Sequence, residues 1–244
     1  MQLDEAINLY VEKPSDGNIK RAYKSILCLA NNGNVEAKHE VFLVFYKTFP
    51  ILKDSGQEAF DFLIEAANNG NADAQYNLGY LLSEGKLAEK NDKESQFWLE
   101  KASRNGSVEA DFALGIILTK HSLIELEKGN QDEAQRLEML GDEYMEKAAK
   151  KEHIDAMRIH GMTLLSNFSE DVKNLEKGQT YLEKAALSGD IEAMYHLGVL
   201  ISLVAEDRQD EKLKMKSEGW IKRAAELGHE EAKKIELTKA AVKE

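Results

Sequence analysis

Residues 66–85 read AANNGNADAQYNLGYLLSEG, and two glycines in this stretch pose the question that decides the fold. Gly70 stands where an alanine-rich helical run ends, a place that suits a residue able to turn left-handed without a Cβ clash. Gly79 stands in the middle of the next helical run, where glycine is about 1 kcal/mol less favourable than alanine. Such a residue is kept only where the missing side chain is needed, so the arrangement should recur if it is structural.

It recurs along the chain. Related strings are ANNGNVEA (30–37), ANNGNADA (67–74), SRNGSVEA (103–110), AKKEHIDA (149–156), ALSGDIEA (186–193) and AELGHEEA (225–232). Their final alanines, Ala37, Ala74, Ala110, Ala156, Ala193 and Ala232, are spaced by 37, 36, 46, 37 and 39 residues. Shortly after the alanine comes Leu78-Gly79, Leu114-Gly115 or Leu197-Gly198, with His160-Gly161 as a variant. An aromatic residue, Phe62, Trp98, Tyr144, Tyr181 or Trp220, precedes each closing position by eight residues. Several independent positions thus hold one register, the signature of a repeat architecture.

Each unit reads as two antiparallel helices. Helix A begins at Asn34, Asn71, Ser107 or Asp190, residues that cap a helix start well. An acid follows two positions later each time: Glu36, Asp73, Glu109, Asp155, Glu192 and Glu231. In the first turn each is favoured by the helix dipole by about 0.3–1 kcal/mol. Helix B carries the aromatic residue. Gly79, Gly115, Gly161 and Gly198 then fall on the face of helix A that meets helix B, where close backbone approach offsets the lost helix propensity.

The pattern resembles the Sel1-like repeat (SLR) family, relatives of the tetratricopeptide repeats. Ala74, Leu78, Gly79, Trp98, Lys101, Ala102 and Gly106 match its consensus, as do Ala193, Leu197, Gly198, Trp220, Ala224, Ala225 and Gly228. The resemblance implies an all-α, right-handed solenoid of about 13 helices. A single domain over 1–244 is expected, with N-terminal capping helices in 1–33, repeats at 34–70, 71–106, 107–152, 153–189 and 190–228, and a C-terminal capping helix over 229–244. Departures are expected at Val41-Phe42, where Leu-Gly would stand, and at Glu152 and His160, where looser packing should follow. The long spacing adds residues around 119–140; shared between two helices, they would project roughly 7 Å beyond the neighbouring pairs.

Composition narrows the function. Cys28 is the sole cysteine, which excludes an intrachain disulfide, and on its apolar helix it reads as a small buried hydrophobe. The first ten residues, MQLDEAINLY, lack a basic secretory start, and the run VFLVFY at 41–46 is far too short to span a bilayer, so a cytoplasmic protein is expected. A net charge of −12 disfavours nucleic acid and anionic membranes and favours a basic protein partner. Chemistry is sparse. His39, His121, His153, His160, His196 and His229 form no zinc motif; His153 and His229 fall at helix-cap positions. No phosphate-cradling loop or nucleophile elbow is present, and no cofactor, metal or catalytic residue is expected.

By the tetratricopeptide arrangement, helix A lines a concave surface. The positions facing it are His39, Tyr76, Phe112, Arg158, Tyr195 and Lys234, then Leu43, Tyr80, Ile116, Met162 and Val199. Tyrosine and arginine are common binding anchors, and Glu36, Asp73 and Glu109 border the same surface. Packing against the next helix A is the competing explanation for those side chains. The expectation is a non-enzymatic adaptor or regulator, monomeric without its partner, with an immunity-type antagonist of a basic toxin as the alternative and a metal-dependent enzyme as the remote one.

Overall fold

The computed structural model describes residues 1–86, 89–166 and 172–241, and every regular element among them is helical. In chain order these are α1 (Leu3–Val11), α2 (Asp16–Asn31), α3 (Val35–Lys47), α4 (Gly56–Asn68), α5 (Ala72–Glu84), α6 (Asp92–Arg104) and α7 (Val108–Glu127). Then follow α8 (Gln131–Lys150), α9 (Ile154–Ser166), α10 (Val172–Leu187), α11 (Ile191–Arg208), α12 (Glu211–Glu226) and α13 (Glu230–Ala241). Residues 87–88 and 167–171 of the expected repeats and 242–244 of the expected C-terminal cap lie outside the described residues. The helices form two compact units, Met1–Leu114 and Gly115–Glu244. From α1 to α6 and from α8 to α13, each helix packs on the one that follows it.

The repeat alanine is where sequence becomes geometry. Its N–H is the group that the capping side chain receives: Asn34 accepts from Ala37 at 2.7 Å, Asn71 from Ala74 at 2.8 Å and Asp190 from Ala193 at 2.7 Å. Ser107 does the same for Ala110 at 3.2 Å. His153 and His229 do it with an imidazole, each accepting at Nδ1 from Ala156 or Ala232 at 3.2 Å. All six alanines are completely buried, so the cap and the packing contact are set by one small residue.

Helix ends close equally regularly. Gly33, Gly70, Gly106, Gly189 and Gly228 have φ between +89° and +108°. Glu152 takes the same role at φ +64°: its N–H reaches the Ala149 carbonyl and the next N–H reaches Ala148, as Gly70 and Asn71 reach Ala67 and Ala66. The expected loosening at this unit is therefore absent at the turn. The local geometry is kept, with a side chain in a conformation that is unfavourable for it.

Between paired helices the glycines mark close approach. A Cβ built on Gly79 would lie 2.8 Å from Leu99 Cγ and 3.1 Å from the Ser95 carbonyl, and one on Gly198 2.7 Å from Ile221 Cγ1. In the two central pairs glycine faces glycine. A Cβ on Gly161 would lie 2.9 Å from the Gly178 carbonyl, and one on Gly141 3.3 Å from that of Gly115. Each B helix thus places a small residue three positions before its aromatic: Ala59, Ser95, Gly141, Gly178 and Ser217. This second half of the contact was legible as a repeat but masked by its variation in residue type. Trp98 is buried within the α4–α6 core cluster, whereas Trp220 stays half-buried on α12.

Phe42 replaces the glycine in the first pair by joining a different cluster, with Leu63, Ala74, Leu78 and Trp98. Val41, Val44 and Phe45 meanwhile pack with Tyr10, Ile19 and Ile26 of α1 and α2. Cys28 is exposed, contrary to the expected burial, because α2 turns Ile19, Ala22, Tyr23, Ile26 and Ala30 to the core and Cys28 lies off that stripe. Helices α7 and α8 have 20 residues each against 13 for α5 and α6. The lengthening is about 10 Å, beyond the expected 7 Å, because the connection shrinks to 128–130 and yields residues to the helices.

Candidate interaction surface

In the first unit, Tyr76 and Tyr80 lie one turn apart on α5 with their rings stacked at 6.4 Å. Tyr76 is half-buried, and burial, then the fields of Glu109 and Tyr80, hold its hydroxyl above the usual tyrosine range. Tyr80 is 38% exposed, and Phe112 on α7 is half-buried. Glu36, Asp73 and Glu109 stand exposed in the first turns of α3, α5 and α7. No lysine or arginine among the described residues pairs with Glu36 or Asp73. His39, at the same register on α3, is buried; its Nε2 meets Asn77 Nδ2 at 2.8 Å, and burial lowers its pKa, so the ring is a neutral acceptor. It serves packing between α3 and α5.

In the second unit the expected positions divide. Ile116 is 42% exposed on α7, while Met162 and Val199 are half-buried. Arg158 is committed elsewhere: its guanidinium donates to Asp155 at 2.7 Å and to Asp190, the N-cap of α11, at 3.0 Å. Tyr195 lies flat on His229 at 4.1 Å between ring centroids. Because His229 accepts at Nδ1, its proton is on Nε2, which donates to Glu192 at 3.2 Å. Tyr195 and Arg158 therefore tie α9, α11 and α13 together.

Val199 also lines a cavity of about 750 Å3 with Leu203, Glu206 and Lys214, closed by Ile221 of α12 and Ile235 of α13. Nothing in the repeat pattern pointed to it, since its walls come from three helices, α11, α12 and α13. His160 packs on Tyr181 at 5.7 Å and His196 lies 3.9 Å from Glu192. No group of three or more His, Cys, Asp or Glu among the described residues is placed to hold a metal ion. No helix among the described residues is long and apolar enough to cross a membrane.

A chain of capped, paired helices with glycine-mediated contacts in four successive pairs is an interaction solenoid of the Sel1 type. The Sel1 repeat model matches residues 49–71, 72–107, 165–190 and 191–229, just over half of the sequence, and the chain belongs to this family of protein–protein interaction modules. A Sel1 repeat protein from Oxalobacter formigenes superposes with a TM-score of 0.70 at 21% identity, over 92% of this chain and 86% of that one. A protective antigen of uropathogenic Escherichia coli displaying an SLR fold aligns over 94% of this chain and 54% of that one, at 16% identity and a TM-score of 0.48. No curated protein matches the chain. The stretch 108–164, which the repeat matches leave uncovered, contains the lengthened α7–α8 pair.

Proposed function

We propose that the chain is a non-catalytic adaptor that holds a basic segment of a partner protein on the aromatic stripe of its A helices. The observation that carries this reading is the stacked, half-exposed Tyr76–Tyr80 pair on the helix that Asp73 opens, with Glu36 at the same position of α3, both acids without a lysine or arginine partner among the described residues. A partner lysine or arginine would share the aromatic surface with Lys86, which lies over the Tyr80 ring, and would meet a carboxylate there, the combination that binding anchors use. Phe112 extends the same stripe onto α7. Ile116, Met162 and Val199 are its counterparts in the second unit, where Arg158 and Tyr195 support the stripe and make few demands on a partner.

The net charge of −12 also suits an antagonist that masks a basic toxin. The two roles separate by strength: an antagonist holds its target at about nanomolar Kd or tighter, whereas an adaptor works at about micromolar Kd. The test is affinity capture from the native organism, followed by titration of the recovered partner. The triple variant Tyr76→Ala/Tyr80→Ala/Phe112→Ala should lose the partner while keeping its helix content. Undiminished capture would move the site off this stripe.

A further inference from the structure

The first unit has a second surface of opposite character. Glu36 and Asp73 mark the starts of α3 and α5, but where α3 ends the exposed side chains change. Phe49 is 63% exposed and Tyr46 46% exposed, large values for aromatic residues on either side of a helix end. Two cavities of about 380 Å3 each meet at Phe49. One is walled by Phe45, Tyr46 and Phe49; the other by Tyr10, Val11, Pro14, Ile19, Pro50 and Ile51. Among the described residues each has a single charged side chain in its lining, Lys86 in the first and Lys47 in the second. Lys86 is held at its rim, its ammonium 5.3 Å from the Tyr80 ring centroid and 3.4 Å from a Glu84 carboxylate.

We propose that this Phe49 surface binds an acidic segment of a partner protein, with two large apolar side chains filling the two cavities and neighbouring carboxylates meeting Lys47 and Lys86. Charge is the deciding argument. In a chain with an excess of acid, the described residues lining these apolar cavities carry lysine as their only ionisable cation and no carboxylate. Complementary charge steers encounter and rejects wrong partners, while buried aromatic anchors supply most of the affinity. A second copy of this acidic chain would bring strong net repulsion, and an anionic membrane would repel the chain for the same reason. The cavities are also concave and sized for side chains, unlike a convex edge that inserts between lipids. Together with the acidic stripe, such a surface would let one chain join a basic partner to an acidic one. It does not depend on that stripe being correct, because the cavities are lined by none of its residues and meet it only where Lys86 lies over Tyr80.

The probe is a phage-displayed library of random 12-residue peptides, panned against the full chain. The expected winners pair large apolar residues with nearby Asp or Glu. Synthetic winners should bind Phe49→Ala and Lys47→Glu/Lys86→Glu at least about tenfold more weakly, and should bind Tyr76→Ala/Phe112→Ala as they bind the parent chain. Circular dichroism confirms that each variant is folded; the charge-reversal pair keeps the test valid if Phe49→Ala is not. Basic winners, winners indifferent to both variants, or no enrichment at all would overturn the proposal. So would a concentration-dependent dimer, or binding to phosphatidylserine vesicles, that Phe49→Ala abolishes.

Discussion

Glu152 and His160 are single residues that depart from the repeat, and each has a separate consequence. Glu152 occupies a left-handed conformation that glycine takes at five equivalent turns. Its contact with Lys184, at 3.3 Å between exposed groups, is of the kind that contributes little. Glu152→Gly should therefore raise stability by about 1 kcal/mol, seen as a higher denaturation midpoint in urea. His160 stands where other units have leucine. It is buried, and neither ring nitrogen has a hydrogen-bond partner among the described residues. Burial, then the nearby Lys177, hold its pKa below the ordinary histidine value of 6.5, with Lys150 acting alongside and Glu146 opposing. The folded state thus resists a proton that the unfolded state accepts, so stability should fall as pH drops below about 6.5. His160→Leu should flatten that fall, measured as the difference between urea midpoints at pH 7.5 and pH 5.5. An unchanged difference would assign the pH response to His39 and His196, whose pKa values burial also lowers.

Helices pair here through what is missing from their surfaces, and two glycines separate that effect from propensity. Gly161 of α9 faces the carbonyl of Gly178 on α10, an obstacle that cannot rotate away. Gly161→Ala should destabilise by about 1–3 kcal/mol, the usual range for overpacking. Gly219, inside α12, has open space where a Cβ would stand, with nothing within 4 Å, so Gly219→Ala should stabilise by up to about 1 kcal/mol through propensity alone. Thermal melts of the two variants should move in opposite directions. The same elements show where sequence reading stopped. Leu-Gly on helix A was visible because two adjacent residues repeat, but its counterpart on helix B is alanine, serine or glycine. A position defined only by small size is recognised once its partner is known. The α7–α8 lengthening was visible as extra residues, whereas their division between helix and loop was set by how the pair closes.

For the molecule as a whole, charge supplies the clearest expectation. Capture of a basic partner by the acidic stripe should weaken as ionic strength rises, mainly through slower association, since screening at about 0.15 M salt already acts over about 8 Å. Stopped-flow association rates at increasing salt concentrations measure this; rates that do not change would point to apolar contacts as the source of recognition. The candidate residues fared unevenly because one register position carries no information about its surroundings. Tyr80 and Ile116 are exposed, His39 is buried against Asn77, Arg158 is held by two aspartates, and Tyr195 lies on His229. Each outcome depends on which side chain the adjoining repeat presents.

Amino-acid order alone determined the repeat, the helix starts at Asn34, Asn71, Ser107 and Asp190, and the glycine contacts at Gly79, Gly115, Gly161 and Gly198. The caps rest on local backbone geometry, and the glycine contacts on the two consecutive helices of one pair. Tertiary structure decided what repeat spacing does not encode: that Arg158 and Tyr195 join helices, and that Phe49 links two lysine-rimmed cavities. Contacts between residues 30 or more positions apart set these outcomes, because exposure is a property of neighbours brought together by folding.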